Sequence, residues 1–142
     1  MNRIKIELPE KFFFSTTMFV RITDLNYGGH VGNDTVLSII QEARQQYLLS
    51  KGYKELNIDG LGLIMADVMV EYKKEINYAD KLIVSVAAMD FDKIGFDFYY
   101  KVEIENSGEL MVAVKAKTGM ILYDYQQKKK ATFTEEMVSK MQ

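Results

Sequence analysis

One long helical pattern, followed along the chain by strand patterns, limits the folds open to this sequence. Between residues 33 and 52 apolar side chains recur at the spacing of one helix face, while Gln41, Arg44 and Gln45 lie outside that face. The face consists of Val36, Ile39, Ile40, Ala43, Tyr47 and Leu48. Asn33 or Asp34 can cap the start of this helix, and Gly52 can end it. The helix is therefore expected to be roughly 27 Å long, enough to cross a small sheet.

Strand patterns account for most of the remaining chain. Residues Phe96 to Ile104 alternate most cleanly between apolar and charged side chains, which predicts a strand with one buried face. The other predicted strands are Phe12–Thr23, Ile64–Tyr72, Leu82–Phe91 and Leu110–Tyr123. Short turn sequences near 77–80, 92–93 and 106–108 favour antiparallel neighbours. Thr134, followed by two glutamates, predicts the capped start of a short C-terminal helix.

These elements predict an α+β architecture in which a curved antiparallel sheet of about five strands wraps around the long helix. The chain has 142 residues, 48% of them hydrophobic, which suits one core and a single domain over 1–142. The second face of the sheet carries apolar side chains, which predict a homodimer or homotetramer built on a two-fold axis. Those side chains are Met111, Ala113, Ile121 and Tyr123.

Composition excludes several classes of function. The 20 acidic and 18 basic residues give no broad positive surface, so no nucleic-acid partner is expected, and Lys128–Lys130 is interpreted as a solvated strand end. The absence of cysteine excludes disulfides, thiolate metal sites and cysteine nucleophiles, and no metal site is predicted. No apolar segment is long enough to span a membrane, and the first residues lack a signal-peptide core, so a cytoplasmic location is expected.

The segment Asp24-Leu-Asn-Tyr-Gly-Gly-His-Val-Gly-Asn33 is the strongest candidate for chemistry. Its three glycines allow a ligand to approach the backbone, and it contains His30, the only histidine of the chain. The helix that follows supplies free N–H groups at its positive end, which suit an anionic ligand or a developing oxyanion.

The order of these elements resembles the hotdog-fold acyl-CoA thioesterases of the 4-hydroxybenzoyl-CoA thioesterase type. The matching features are the loop ending in Gly-His-Val-x-Asn, Glu42-Ala43-Arg44 on the helix, and Val70-Glu-Tyr72 followed by Tyr78-Ala79-Asp80, with Ala79 where the family has glycine. The resemblance covers nearly the whole chain. It implies an enzyme that hydrolyses an acyl-CoA or acyl-carrier thioester to free acid and thiol. No cofactor is implied beyond the coenzyme A of the substrate.

Position 26 departs from the family pattern. The resemblance implies a catalytic aspartate four residues before His30, and this chain has Asn26 there. An amide cannot act as base or nucleophile, but it can orient a water molecule or the thioester carbonyl. The nearest carboxylate, Asp24, is two residues earlier.

The resemblance also implies that backbone N–H groups near Asn33 polarise the thioester carbonyl. The candidates for the base are His30, Asp34 in the first helical turn, and Glu42, because a related hotdog branch uses a glutamate on this helix. Asp67, acting across a dimer, is a further candidate. Each also has a structural interpretation: Asn26 as a turn residue, His30 as a satisfied polar group, Asp34 as a partner of the helix dipole and Glu42 as half of a helix-surface pair.

Binding of coenzyme A calls for basic side chains near the phosphates and small residues along the pantetheine arm. Lys73, Lys74 and Lys93 with Gly95 are the candidates, although exposed lysines at strand ends also discourage edge pairing. Because of Asn26, a non-catalytic module that binds or senses acyl thioesters is an alternative function. A hotdog hydratase or dehydratase is a weaker alternative, since the loop is closer to that of the thioesterases.

Overall fold

The computed structural model describes all 142 residues. It contains two α-helices, six strands and one short 3₁₀ turn at Ile22–Asp24. In chain order the elements are β1 (Ser15–Phe19), α1 (Thr35–Ser50), β2 (Gly62–Tyr72), β3 (Lys81–Met89), β4 (Gly95–Asn106), β5 (Glu109–Asp124), β6 (Lys129–Lys130) and α2 (Glu135–Met141). Neither helix is long and apolar enough to cross a membrane.

The strands form one antiparallel sheet in the order β1-β3-β4-β5-β2, and the two-residue β6 pairs with the end of β5. This confirms the predicted α+β architecture of a long helix with an antiparallel sheet, and the exposed Lys129–Lys130 is a solvated strand end as expected. The first strand is shorter than predicted. It pairs with β3 from Ser15 to Phe19, and the Phe14 carbonyl accepts one further hydrogen bond from Val86 N–H at 3.2 Å. The Phe14 ring packs edge-on against Tyr47, with the ring centroids 5.4 Å apart.

Helix α1 buries the predicted apolar face against the sheet. Its C-terminus has the predicted glycine: Gly52 adopts φ +80, and Tyr53 N–H donates to the Leu48 carbonyl at 2.8 Å. The N-terminus differs, because Asp34 occupies the capping position but accepts no hydrogen bond from the helix. The side chain of Thr134 does cap α2, accepting from Met137 N–H at 3.1 Å.

Arg44 is the main correction to the helix pattern, which placed this residue outside the buried face. The residue is only 5% exposed and packs between α1 and the inner face of the sheet. Its guanidinium pairs with Glu55 and donates to the Tyr100 hydroxyl at 3.1 Å, and that hydroxyl lies 2.8 Å from Thr118 Oγ1. Burial lowers the pKa of Arg44, but Tyr100 and Glu55 outweigh this effect and raise it, so the side chain stays charged.

The outer face of the sheet also differs from the prediction. Ala113 is fully buried in a β-bulge, which places Met111 opposite Ile104 of the inner face. Ile121 and Tyr123 are partly exposed towards the end of β5. The middle of this face is charged, and the N-terminal segment 1–14 crosses it. The Ile6 N–H donates to Glu71 Oε1 at 3.0 Å, and Lys101 Nζ lies 5.2 Å from the centre of the Phe12 ring. This face is therefore partly covered by the N-terminal segment of the chain.

Candidate active site

A cleft of about 700 Å³ opens beside the start of α1, between the glycine loop and the end of β2. Four of the five predicted catalytic residues line this cleft, and two of the predicted coenzyme A-binding lysines lie at its edge. These residues are Asn26, His30, Asn33 and Asp34, with Lys73 and Lys74. Residues from opposite ends of a 49-residue span of sequence thus converge on one cavity.

Backbone pairing holds the loop against the connection between β2 and β3. Asn26 N–H donates to the His30 carbonyl at 2.9 Å, closing the glycine turn. Val31 N–H donates to the Ile76 carbonyl at 2.9 Å, and His30 forms a bridge with Asn77. Because Val31 and Ile76 are both buried, the core anchors this short pairing and positions the polar side chains on either side of it.

The start of α1 presents free backbone donors to the cleft. The N–H groups of residues 32 to 35 make no hydrogen bonds, and the first helical bond is from Val36 N–H to the Gly32 carbonyl at 3.2 Å. The Tyr72 hydroxyl donates to the Asn33 carbonyl at 2.8 Å and ties the helix start to β2. Such donors, fixed at the positive end of a helix, can stabilise an oxyanion without relying on any particular side chain.

Asp34 lies over the glycine that precedes the helix. A Cβ on Gly32 would be 2.5 Å from Asp34 Oδ1, so the absence of a side chain at position 32 leaves room for the carboxylate. Burial and the nearby Asp34 charge raise the pKa of Tyr72 above its usual range. The Tyr72 hydroxyl consequently keeps its proton and its hydrogen bond to the Asn33 carbonyl at neutral pH.

The Asn26 side chain stabilises the turn. Its Oδ1 accepts a hydrogen bond from Gly28 N–H at 2.8 Å, the contact expected of an asparagine that caps its own turn. The amide NH₂ group has no hydrogen-bond partner in the protein, so it is available to a ligand. A catalytic role for Asn26 stays a prediction.

The His30 side chain lies between the glycine turn of its own loop and Glu75, the residue that follows Lys73 and Lys74. Its Nε2 is 3.9 Å from Glu75 Oε2, and the side chains of His30 and Glu75 are 38% and 59% exposed. A Cβ on Gly28 would lie 3.3 Å from the same imidazole nitrogen. The glycine at position 28 therefore provides the space in which the His30 ring sits.

Two of the candidate carboxylates lie away from this cleft. Glu42 lines a separate, smaller cleft of about 240 Å³ between β1 and α1, and its Oε2 accepts from Gln46 Nε2 at 2.7 Å. Asp67 lies within β2 and accepts from Gly119 N–H at 3.0 Å. Asp24 is also engaged elsewhere, since its Oδ2 accepts from Arg21 N–H at 2.8 Å.

Lys93 and Gly95 lie at the opposite end of the sheet from Lys73. Gly95 pairs with Ile121 of β5, whereas Tyr72 pairs with Val114, seven residues away on the same strand. At the rise of a strand this separation is about 23 Å. One copy of the chain therefore does not bring the two predicted groups of coenzyme A-binding residues together.

Sequence reasoning assigned no role to Tyr72 or Glu75, although both line the cleft. Tyr72 belongs to the Val70-Glu-Tyr72 motif, and its position at the end of the predicted strand could have indicated a role in the site. Glu75 had no signal in the sequence, because only the pairing of residue 31 with residue 76 places its carboxylate beside His30.

Comparison with known proteins gives the same architecture. The crystal structure of a 1,4-dihydroxy-2-naphthoyl-CoA thioesterase from Synechocystis superposes with a TM-score of 0.78 at 19% identity, covering 90% of this chain and 94% of that one. A 4-hydroxybenzoyl-CoA thioesterase mutant in complex with 4-hydroxybenzoyl-CoA gives a TM-score of 0.81 at 12% identity, with coverage of 91% and 98%. A DHNA-CoA thioesterase from Staphylococcus aureus gives 0.76 at 20% identity, with coverage of 89% and 86%.

These similarities establish the hotdog fold. No curated protein sequence matches the chain. The sequence profile of the thioesterase-like superfamily, however, matches residues 20–141, which include the glycine loop, both helices and every strand after β1. The chain therefore belongs to the thioesterase-like superfamily, and thioester hydrolysis is the activity that this membership supports.

Proposed function

We propose that the protein hydrolyses acyl-CoA thioesters in the cleft beside α1, in the manner of the 4-hydroxybenzoyl-CoA thioesterase type. The observation that carries this proposal is the set of unpaired N–H groups at residues 32 to 35, beside a cleft that Asn33 and Asp34 line together with the only histidine. A thioester carbonyl placed against these donors would be polarised at the same end of the helix where a proton acceptor is available.

The proposed reaction needs only substrate, water and groups of the protein. Water forms a C–O bond to the carbonyl carbon as His30 takes one of its protons, and the carbonyl oxygen becomes an oxyanion held by the helix N–H groups. The tetrahedral intermediate then collapses, the C–S bond breaks, and the leaving thiolate receives the proton from the imidazolium. The products are the free acid and the thiol, and coenzyme A enters only as part of the substrate.

Lys73 and Lys74 are proposed to bind the phosphates of coenzyme A at the edge of the cleft. The similar structures support this substrate class, since those compared above are CoA thioesterases. Lys93 and Gly95 remain candidates for binding coenzyme A only if a second copy of the chain brings the start of its β4 to this cleft.

A homodimer formed through β2 is proposed on the basis of that strand's free edge. β2 has 11 residues and pairs only with β5, so its other edge is open. Ile64, Met65 and Val68 on this strand are 36%, 45% and 37% exposed. Long apolar strand edges pair readily with another chain unless they are protected.

The dimer is tested by light scattering of Val68→Lys, with Leu110→Lys as the matched control. Leu110 is also exposed, but it lies on β5 rather than on the free edge. We expect a dimer mass for the wild type and the control and a lower mass for Val68→Lys, because a charge on the strand edge opposes pairing. A monomeric wild type would refute the proposed dimer.

A non-catalytic module that binds acyl thioesters is the second candidate function. The specific observation in its favour is Asn26, whose Oδ1 is already engaged by Gly28 N–H and which replaces the carboxylate implied by the resemblance. Such a protein would use the same cleft and the same N–H donors to bind a thioester without hydrolysing it.

Free-thiol release from short, long and aromatic acyl-CoAs distinguishes the two functions. We expect turnover by the wild type, a loss of about 100-fold or more in kcat for His30→Ala, and none for the exposed control Gln127→Ala. Calorimetric binding without turnover in the wild type, with turnover gained in Asn26→Asp, would identify a binding module. A wild-type protein that shows no turnover and no binding would have neither of the two functions.

A further inference from the structure

The cleft contains two carboxylates, and they occupy different positions. Asp34 lies at the start of α1 over Gly32 and close to Tyr72, whereas Glu75 faces His30 with its Oε2 3.9 Å from the imidazole Nε2. Position 26, where the resemblance implies a carboxylate, holds an amide. Glu75 is therefore the acidic group closest to the candidate base.

The contact between His30 and Glu75 follows from backbone pairing. Residues 31 and 76 are joined by a hydrogen bond of 2.9 Å, and residue 30 bridges residue 77 in antiparallel fashion. His30 and Glu75 are consequently diagonal neighbours on one face of this short ladder, within reach for long side chains. Because Ile76 is only 3% exposed, the core fixes the register that brings them together.

The glycine turn lies beside the same imidazole nitrogen. A Cβ on Gly28 would be 3.3 Å from His30 Nε2 and 3.2 Å from Asn26 Oδ1, so the glycine keeps the approach to both atoms open. Both atoms can accept a hydrogen bond from a water molecule, since the Asn26 oxygen has a second lone pair beyond the one used by Gly28 N–H. Nε2 thus faces the open side of the glycine turn and also lies near Glu75.

We propose that Glu75 is a positioning residue for His30 and supplies the negative charge that Asn26 cannot. Its carboxylate lies close enough to Nε2 to stabilise the positive charge that His30 gains when that nitrogen takes a proton. Asn26 orients the water molecule. The catalytic part of this inference rests on the proposed hydrolysis, but the electrostatic coupling of the two side chains does not.

Nuclear magnetic resonance tests the coupling without any substrate. Because His30 is the only histidine, its imidazole gives one set of signals whose titration can be followed directly. We expect a lower midpoint in Glu75→Gln than in the wild type, because the imidazolium loses the negative charge that lies 3.9 Å from Nε2. Glu109→Gln, which changes an exposed carboxylate at the start of β5, is the matched control and should leave the midpoint unchanged. The other titratable groups facing the cleft, which all variants retain, are Tyr27, Asp34, Tyr72, Lys73 and Lys74.

Kinetics then test the positioning role. In Glu75→Gln we expect kcat to fall about tenfold with KM within twofold of the wild type, and the acid limb of the kcat/KM profile to move to lower pH. Glu75→Asp should recover part of kcat. A wild-type protein that releases no thiol would refute the proposed function. It would not change the conclusion that the titration gives about the coupling of His30 and Glu75. An active wild type with an unchanged midpoint and profile in Glu75→Gln, or with a change in KM alone, would overturn the role of Glu75.

Discussion

At position 79 an alanine occupies backbone that favours glycine. Ala79 has φ 66 in the turn before β3, where the resemblance has a glycine, and an L-residue in this region carries steric strain. We expect Ala79→Gly to raise the free energy of unfolding by up to about 1 kcal/mol, because relief of strain exceeds the added flexibility of the unfolded chain. Thermal unfolding measures this change, and a lower melting temperature would contradict the strain interpretation.

Arg44 shows how one residue can be misjudged from a helical pattern. A charged residue adjoining an apolar stripe is normally interpreted as solvent-facing, yet this one is paired in the core with Glu55 and Tyr100. No local spacing indicates such pairing, because the partners are 11 and 56 residues away in sequence.

Removing Arg44 should therefore be costly. We expect Arg44→Ala to lower the free energy of unfolding by about 3 to 5 kcal/mol, since it leaves Glu55 without its partner and opens a cavity beside Tyr100. Urea unfolding measures the loss, with the exposed Gln41→Ala as the control on the same helix. A cost below about 1 kcal/mol would mean that the buried pair contributes little to stability.

Among the elements, the glycine loop is the one whose geometry most directly affects the proposed chemistry. Gly28 does not have positive φ, so alanine fits its backbone, but the added Cβ would lie 3.3 Å from His30 Nε2 and hinder the approach of a water molecule to that nitrogen. We expect Gly28→Ala to reduce kcat at least tenfold with little change in melting temperature. Thiol release and thermal unfolding measure the two quantities.

The double variant Gly28→Ala with His30→Ala is the control for this prediction. If Gly28 acts by providing space next to His30, the double variant should be no less active than His30→Ala alone. If the two substitutions reduce kcat independently, so that their effects multiply in the double variant, Gly28 does not act through the space next to His30.

For the whole molecule, stability at alkaline pH is expected to depend on buried tyrosines. Burial raises the pKa of Tyr47 to about 12, and the pKa values of Tyr53 and Tyr99 are also raised to about 12, by burial first and then by hydrogen bonds to Asp59 and Asp90. Unfolded tyrosines ionise near pH 10. The stabilising effect is therefore complete below about pH 10 and is lost as pH rises towards 12, because the unfolded state releases protons that the folded state retains.

Tyr53→Phe and Tyr27→Phe provide a matched test of this dependence. Tyr53 is 3% exposed, while Tyr27 is fully exposed. Urea unfolding between pH 9 and pH 11.5 should show a decline that is shallower in Tyr53→Phe, by up to about 1.4 kcal/mol per pH unit, and unaltered in Tyr27→Phe. The same slope in both variants would exclude Tyr53 as a source of the decline.

Local sequence patterns were enough to predict the helix, the order and approximate bounds of the four long strands, the buried alternation of β4 and the position of the candidate loop. These follow from periods of 3.6 and 2 residues and from turn and cap residues, which are properties of neighbouring positions. Three features could be seen only in the folded chain: Arg44 is buried, Glu42 and Lys93 lie away from the cleft, and Glu75 faces His30. Such contacts depend on strand register and on the packing of the helix against the sheet, and neither is encoded in local spacing.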